Sequence, residues 1–154
     1  MYRALGGGWQ IREGRDFVSE ETRAVMRERT DWGGLLEQVR RTTTELRALG
    51  VGPGERVAVH LRNSKEWVYF DQAALACGLA TVPLYTDDRP ENIAYIMDNA
   101  AVRLLLVQDA AAWKRLAPAL SGQEHLVRVL ILNPSKSAPA GLLQDERIRF
   151  VADW

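Results

Sequence analysis

Apolar and polar positions alternate in blocks along this chain, and the period of alternation changes from block to block. Leu35, Val39, Thr42, Leu46 and Leu49 recur at steps of four and three, which makes one stripe of a helix. Glu37, Arg40, Arg41, Glu45 and Arg47 fall largely on the other side. Asp31 is the expected N-cap, Gly50 is placed to end the helix left-handed, and Pro53-Gly54 makes the following turn. The period then drops to two. Residues 56–61 read as a strand with Val57, Val59 and Leu61 facing one way.

Asn63 and Glu66 have capping-box spacing and are expected to open a second helix. Trp67, Phe70, Ala74 and Cys77 give it a buried stripe, and Gly78 closes it. Residues 80–84 predict a second strand, apolar on both faces as a central parallel strand should be. Pro90 suits the first turn of a third helix over 91–99, with Ile93, Ile96 and Met97 inward. A third strand over 102–107 leads to a helix over 109–120 carrying Trp113, Leu116 and Leu120. A fourth strand is expected over 126–132, a polar loop over 133–141, and a fifth strand over 147–151. Strands alternating with helices predict an α/β fold, a mostly parallel sheet flanked by helices and joined by right-handed crossovers. Residues 1–30 stand apart as an N-terminal extension or hairpin of unclear form, in which 22–29 fit a helix or an outer strand equally; 31–154 form the α/β unit.

The balance of charge removes several function classes. Twenty basic residues face 20 acidic ones, so no field of one sign would draw the chain onto nucleic acid or an anionic membrane. The five tryptophans lack the basic interleaving of a base-stacking platform. Cys77 is the only cysteine, which excludes an intrachain disulfide and a multi-cysteine metal site and fits a reducing, cytoplasmic setting. It lies in an apolar run where a small buried residue is expected. The start of the chain lacks the pattern of a signal peptide, and the longest apolar run, from Ala73 to Leu84, is too short to span a bilayer.

Candidate chemistry is sparse. The run from Gly50 to Gly54 follows a helix and enters a strand, the reverse of a phosphate-binding loop, so it reads as a turn. Gly6, Gly7 and Gly8 are not followed by the Lys-Ser or Lys-Thr of a P-loop. Asp87 and Asp88 follow a strand and could hold magnesium as in a receiver domain, with Asp109 and Lys136 as loose partners. The simpler reading is that both acids complement the positive end of the helix after Pro90. His60 and His125 have no recognisable carboxylate or serine partner, and Ser19, Ser64, Ser121, Ser135 and Ser137 show no nucleophile elbow. No residue is therefore assigned to catalysis, to a cofactor or to a metal.

Four stretches carry a family resemblance. They are TDWGGLLEQVRRTTTELRALGVGPG over 30–54, ERVAVHLRNSKEW over 55–67, ALACGLATVPLY over 74–85, and 88–109 from Asp-Arg-Pro-Glu-Asn to Val-Gln-Asp. In order and spacing they resemble the adenylate-forming superfamily of acyl-CoA synthetases, luciferases and peptide-synthetase adenylation domains. The run from Trp67 to Pro90 is most similar to bacterial long-chain fatty-acid–CoA ligases. The resemblance implies the first subdomain of the ligase N-terminal domain. It implies a parent enzyme that joins a carboxylic acid, here a long-chain fatty acid, to coenzyme A through an acyl-adenylate, with ATP and magnesium.

The family's Ser/Thr/Gly-rich loop ending in Lys, its aromatic-Gly-x-Thr-Glu segment, its ribose-binding Asp and its C-terminal catalytic Lys do not occur in this sequence. Ser121-Gly122 continues into Gln-Glu, and Pro134-Ser135-Lys136-Ser137 lacks the glycines. The expectation is thus an N-terminal fragment, inactive alone, whose partners are the remaining ligase subdomains. Its exposed docking surface would also be available for a homodimer. A stand-alone α/β binding or interaction module without catalysis is the alternative.

Overall fold

The computed structural model describes residues 32–133 and 145–151. The expectations for residues 1–30, for Asp31, for Lys136 and for most of the 133–141 loop lie outside the described residues. The chain divides into two compact units, Met1–Gly34 and Leu35–Trp154. Of the first unit only residues 32–34 are described, and they open the first helix.

The elements are α1 (Trp32–Ala48), β1 (Arg56–His60), α2 (Lys65–Ala76), β2 (Ala80–Pro83), α3 (Pro90–Asn99), β3 (Val102–Asp109), α4 (Ala110–Leu120), β4 (Arg128–Asn133) and β5 (Ile148–Phe150). The five strands form one sheet in the order β2-β1-β3-β4-β5, and every pairing is parallel. The α/β reading and the parallel sheet are thus as expected.

Alternation along the strands sorts the core into two layers. Val57, Val59, Leu104, Leu106, Leu130 and Leu132 point to one face, where they meet Leu46 of α1 and Phe70, Ala73 and Ala74 of α2. Ala58, Leu105, Val107, Val129 and Ile131 point to the other, against Ile93 and Met97 of α3 and Trp113, Leu116 and Leu120 of α4. β3 is buried on both faces, as a central parallel strand requires. Burying each of its leucines contributes about 1.5–3 kcal/mol.

The second strand departs from expectation. β2 pairs with β1 alone and is an edge of the sheet among the described residues, with both of its end residues exposed. Pro83 fits that place, since it has no N–H to give to a ladder on its open side. The apolar character of 80–84 comes from one-sided packing of Val82 and Leu84 on the α3–α4 layer.

Three smaller expectations also shift. The cap of α2 is Ser64, one residue after Asn63, because its hydroxyl accepts from the N3 amide of Trp67 at 3.3 Å. Ile96 is partly exposed on the shoulder of the α3 stripe, which leaves Ile93 and Met97 as the inner face. Cys77 is half-buried at the C-cap of α2. Beyond it the amides of Gly78 and Leu79 bond to the carbonyls of Leu75 and Ala74, both at 2.9 Å, closing a Schellman motif. Gly78 takes φ +72°, and a Cβ there would stand 3.2 Å from Cβ of Pro53, so both conformation and space favour glycine.

Candidate functional site

Strand order decides where a crevice opens. The chain leaving β1 turns to the face that carries α2. The chains leaving its neighbours β2 and β3 turn to the face that carries α3 and α4. Loops that part to opposite faces leave a gap at the carboxyl ends of the strands, the usual ligand position in open α/β sheets. A groove of about 640 Å³ lies there, between the loop after β1 (Leu61, Arg62, Asn63) and the loop after β2 (Leu84 to Asp87). Trp67 forms its floor side with Leu61 and Pro83. The sequence reading placed Trp67 in the core; its indole is half-buried and shared between core and groove.

The two walls are held differently. On the first, the Ser64 cap ties the loop to α2 within a few residues. On the second, the amide of Asp88 bonds to the carbonyl of Tyr85 at 3.2 Å and makes a turn. The carbonyls of that turn face α4. The Arg115 guanidinium donates to the carbonyl of Thr86 at 2.6 Å and to that of Asp88 at 3.0 Å. The same Nη2 lies 3.3 Å from Nε2 of His60, the last residue of β1.

His60 is only 2% exposed, and its Nδ1 has no hydrogen-bond partner. Burial pushes its pKa below the ordinary 6.5 and the charge of Arg115 adds to this, against the pull of its own backbone and of Asp109 and Asp87. The sequence reading gave His60 no carboxylate or serine partner and missed this contact, because Arg115 is 55 residues away and sits on the exposed side of a helix.

The acidic candidates do not assemble. The Asp88 carboxylate accepts from Asn92 and from the amide of Arg89, at 2.9 and 2.8 Å, just ahead of α3. Those two bonds hold its carboxyl below the usual range, the Asn92 bond contributing most. Asp88 thus lies at the helix start, as expected of the pair, while among the described residues no such bond is made by Asp87. Asp109 is the N-cap of α4, accepting from the amide of Ala112 at 2.8 Å. Asp87 is exposed on the groove wall. Among the described residues no three His, Cys, Asp or Glu side chains gather as a metal site.

The run from Gly50 to Gly54 is a turn from α1 into β1, so it offers no helix N-terminus to a phosphate. His125 is exposed, Ser121 bonds to the carbonyl of Pro118, and the Cys77 thiol faces the carbonyl of Thr43 at 3.7 Å.

The family described as AMP-binding enzyme matches residues 15–152. The chain belongs to that family. It is 33% identical over 106 residues to the long-chain-fatty-acid–CoA ligase FadD15 of Mycobacterium bovis, a match covering 68% of this chain and 17% of that ligase. Over 76 residues it is 36% identical to a 3-hydroxybenzoate–CoA ligase of Aromatoleum, covering 49% of this chain and 14% of that one. Among solved structures, a benzoate CoA ligase from Burkholderia xenovorans superposes with a TM-score of 0.60 at 24% identity, over 66% of this chain and 20% of the ligase, which shows the fold. The chain spans about a sixth of the length of the curated relatives it matches. No described helix is long and apolar enough to cross a membrane.

Proposed function

We propose that this chain is the opening scaffold of an AMP-forming acyl-CoA ligase that acts on long-chain fatty acids, and that alone it forms no acyl-adenylate. The family match across 15–152 carries the proposal, and the similarity to FadD15 supports the long-chain preference. ATP, magnesium and coenzyme A would be held by parts of the ligase other than the residues described here. The remaining subdomains would dock on exposed apolar side chains. Val68 and Leu75 lie two turns apart on the outer side of α2, 40% and 56% exposed, and suit such a contact.

The test pairs two proteins. The 154-residue chain is assayed for ATP–pyrophosphate exchange with fatty acids, and the open reading frame containing it is assayed for acyl-CoA formation across chain lengths and with benzoates. No exchange by the chain, and thioester formation from long-chain acids by the complete protein, support the proposal. Exchange by the chain alone would sink the scaffold reading. Preference for benzoates would move the substrate to the aryl class, towards the Aromatoleum relative.

A further inference from the structure

One wall of the groove is fastened by an arginine that rests on a buried histidine. The turn after β2 supplies Tyr85, Thr86 and Asp87 to the groove. Two carbonyls of that segment, those of Thr86 and Asp88, are gathered by one side chain, Arg115 of α4. The guanidinium in turn rests on His60 at the end of β1. We propose that Arg115 and His60 form a proton-sensitive strap, in which Arg115 is a positioning residue that holds the turn after β2, and with it one groove wall, against the end of β1.

The chemistry fixes the tautomer. Arginine remains charged at every pH a protein survives, and its guanidinium is a donor only. At 3.3 Å the Nε2 of His60 must accept, so the neutral ring carries its proton on Nδ1. A second proton turns Nε2 into a donor and sets the Arg115 cation against a charged, buried ring. The bond to His60 is then lost. Arg115 is driven outward, and the carbonyls of Thr86 and Asp88 lose their donor.

The charged groups facing His60 are Arg115 from α4, Asp109 at the end of β3 and Asp87 from the turn itself. The two carboxylates favour the imidazolium, but burial and Arg115 outweigh them. The strap is therefore closed at neutral pH and opens in acid, below the ordinary histidine value of 6.5.

The measurement is amide hydrogen exchange on the 154-residue chain, read as protection factors so that intrinsic pH effects cancel. The amide of Asp88, which closes the turn, is the reporter. Its protection is expected to fall about tenfold as pH drops from above 6.5 through the midpoint of the His60 ring, the worth of one lost hydrogen bond. His60→Gln keeps a neutral acceptor near Nε2 and is expected to hold protection high and flat across that range. Arg115→Lys cannot gather two carbonyls and an imidazole, and is expected to lower it at every pH.

Should the Gln variant fail to fold, the wild-type ring decides the matter through its nitrogen shifts. The neutral ring must be the Nδ1–H tautomer, and its titration midpoint must coincide with that of the Asp88 amide. Unchanged protection in the wild type, a Gln variant that titrates like it, an Nε2–H ring or separate midpoints would each overturn the strap. None of these readouts depends on the ligase activity, so that reading and the strap can fail separately.

Discussion

Replacing Asp109 separates a structural carboxylate from a chemical one. Its Oδ1 accepts from the amide of Ala112 at 2.8 Å, and its backbone is extended, with φ −158° and ψ 176°. These are the marks of an N-cap, and the acceptor satisfies one of the four amides that a helix start leaves without partners. Asp109→Ala leaves that amide bare, at a cost of about 1 kcal/mol within a range of about 0.5–2.

The negative charge at the helix start adds about 0.3–1 kcal/mol at low ionic strength. Asp109→Asn keeps the cap and loses only that part. The expected order of stability is wild type, then Asn by a few tenths, then Ala by about 1–1.5 kcal/mol below wild type. Urea unfolding followed by circular dichroism reads it as shifts in midpoint at constant slope. For a chain of this size about 1 kcal/mol corresponds to about 2–4 °C in Tm. Salt should close the gap between Asn and wild type and leave the deficit of Ala, because screening touches charge and spares the cap. If Asn costs as much as Ala at both low and high salt, Asp109 is not acting as a cap.

Three further expectations use the same unfolding assay. Ala101 takes φ 46°, which costs a side-chain-bearing residue about 1–2 kcal/mol. Glycine removes that cost and gives back about 0.5–1 kcal/mol in chain entropy, so Ala101→Gly should stabilise by up to about 1 kcal/mol; a destabilised variant would count against it. Thr43 and Thr44 return their hydroxyls to the carbonyls of Val39 and Arg40, whereas the fully buried hydroxyl of Thr42 has no partner. Thr42→Val should therefore add about 1 kcal/mol of stability, read as a higher midpoint, and a lowered midpoint would show that the hydroxyl is satisfied. His60 binds its proton less readily folded than unfolded, so its contribution is complete above about pH 6.5 and is lost as pH falls below that value. Stability should decline more steeply on acidification in the wild type than in His60→Gln; equal slopes would refute it.

The elements were legible because each carries its own period. Stripes such as Leu35 to Leu49 and alternations such as Val57 to Leu61 are local, and the turns between them are marked by Gly50, Pro53 and Gly78. Strand position was not legible. Residues 80–84 look as apolar as a central strand, yet among the described residues they lie at an edge, because partner choice is decided by crossovers rather than by the strand's own residues.

The polar contacts that shape the molecule were also hidden. Arg56 reads as one more charge before a strand, but its guanidinium donates to the carbonyls of Ala100 and Ala101, across 44 and 45 residues, and satisfies the end of α3. Arg115 reads as a solvated helix residue and holds a turn 29 residues away. Long flexible side chains choose their acceptors only once the backbone is in place, so spacing in sequence carries no trace of the choice.

Local and distant anchoring leave the two groove walls with different freedom. The wall after β1 depends on Ser64 and on the start of α2, which are a few residues apart. The wall after β2 belongs to an edge strand, with a neighbour on one side only among the described residues, and its turn is fastened by a side chain from another helix. Releasing Arg115 breaks three side-chain contacts, those to Thr86, Asp88 and His60. The second wall is therefore the one that the strap would let move. A ligand that needs a wider groove would be admitted by releasing Arg115, and the cost of that release is set by the protonation state of His60.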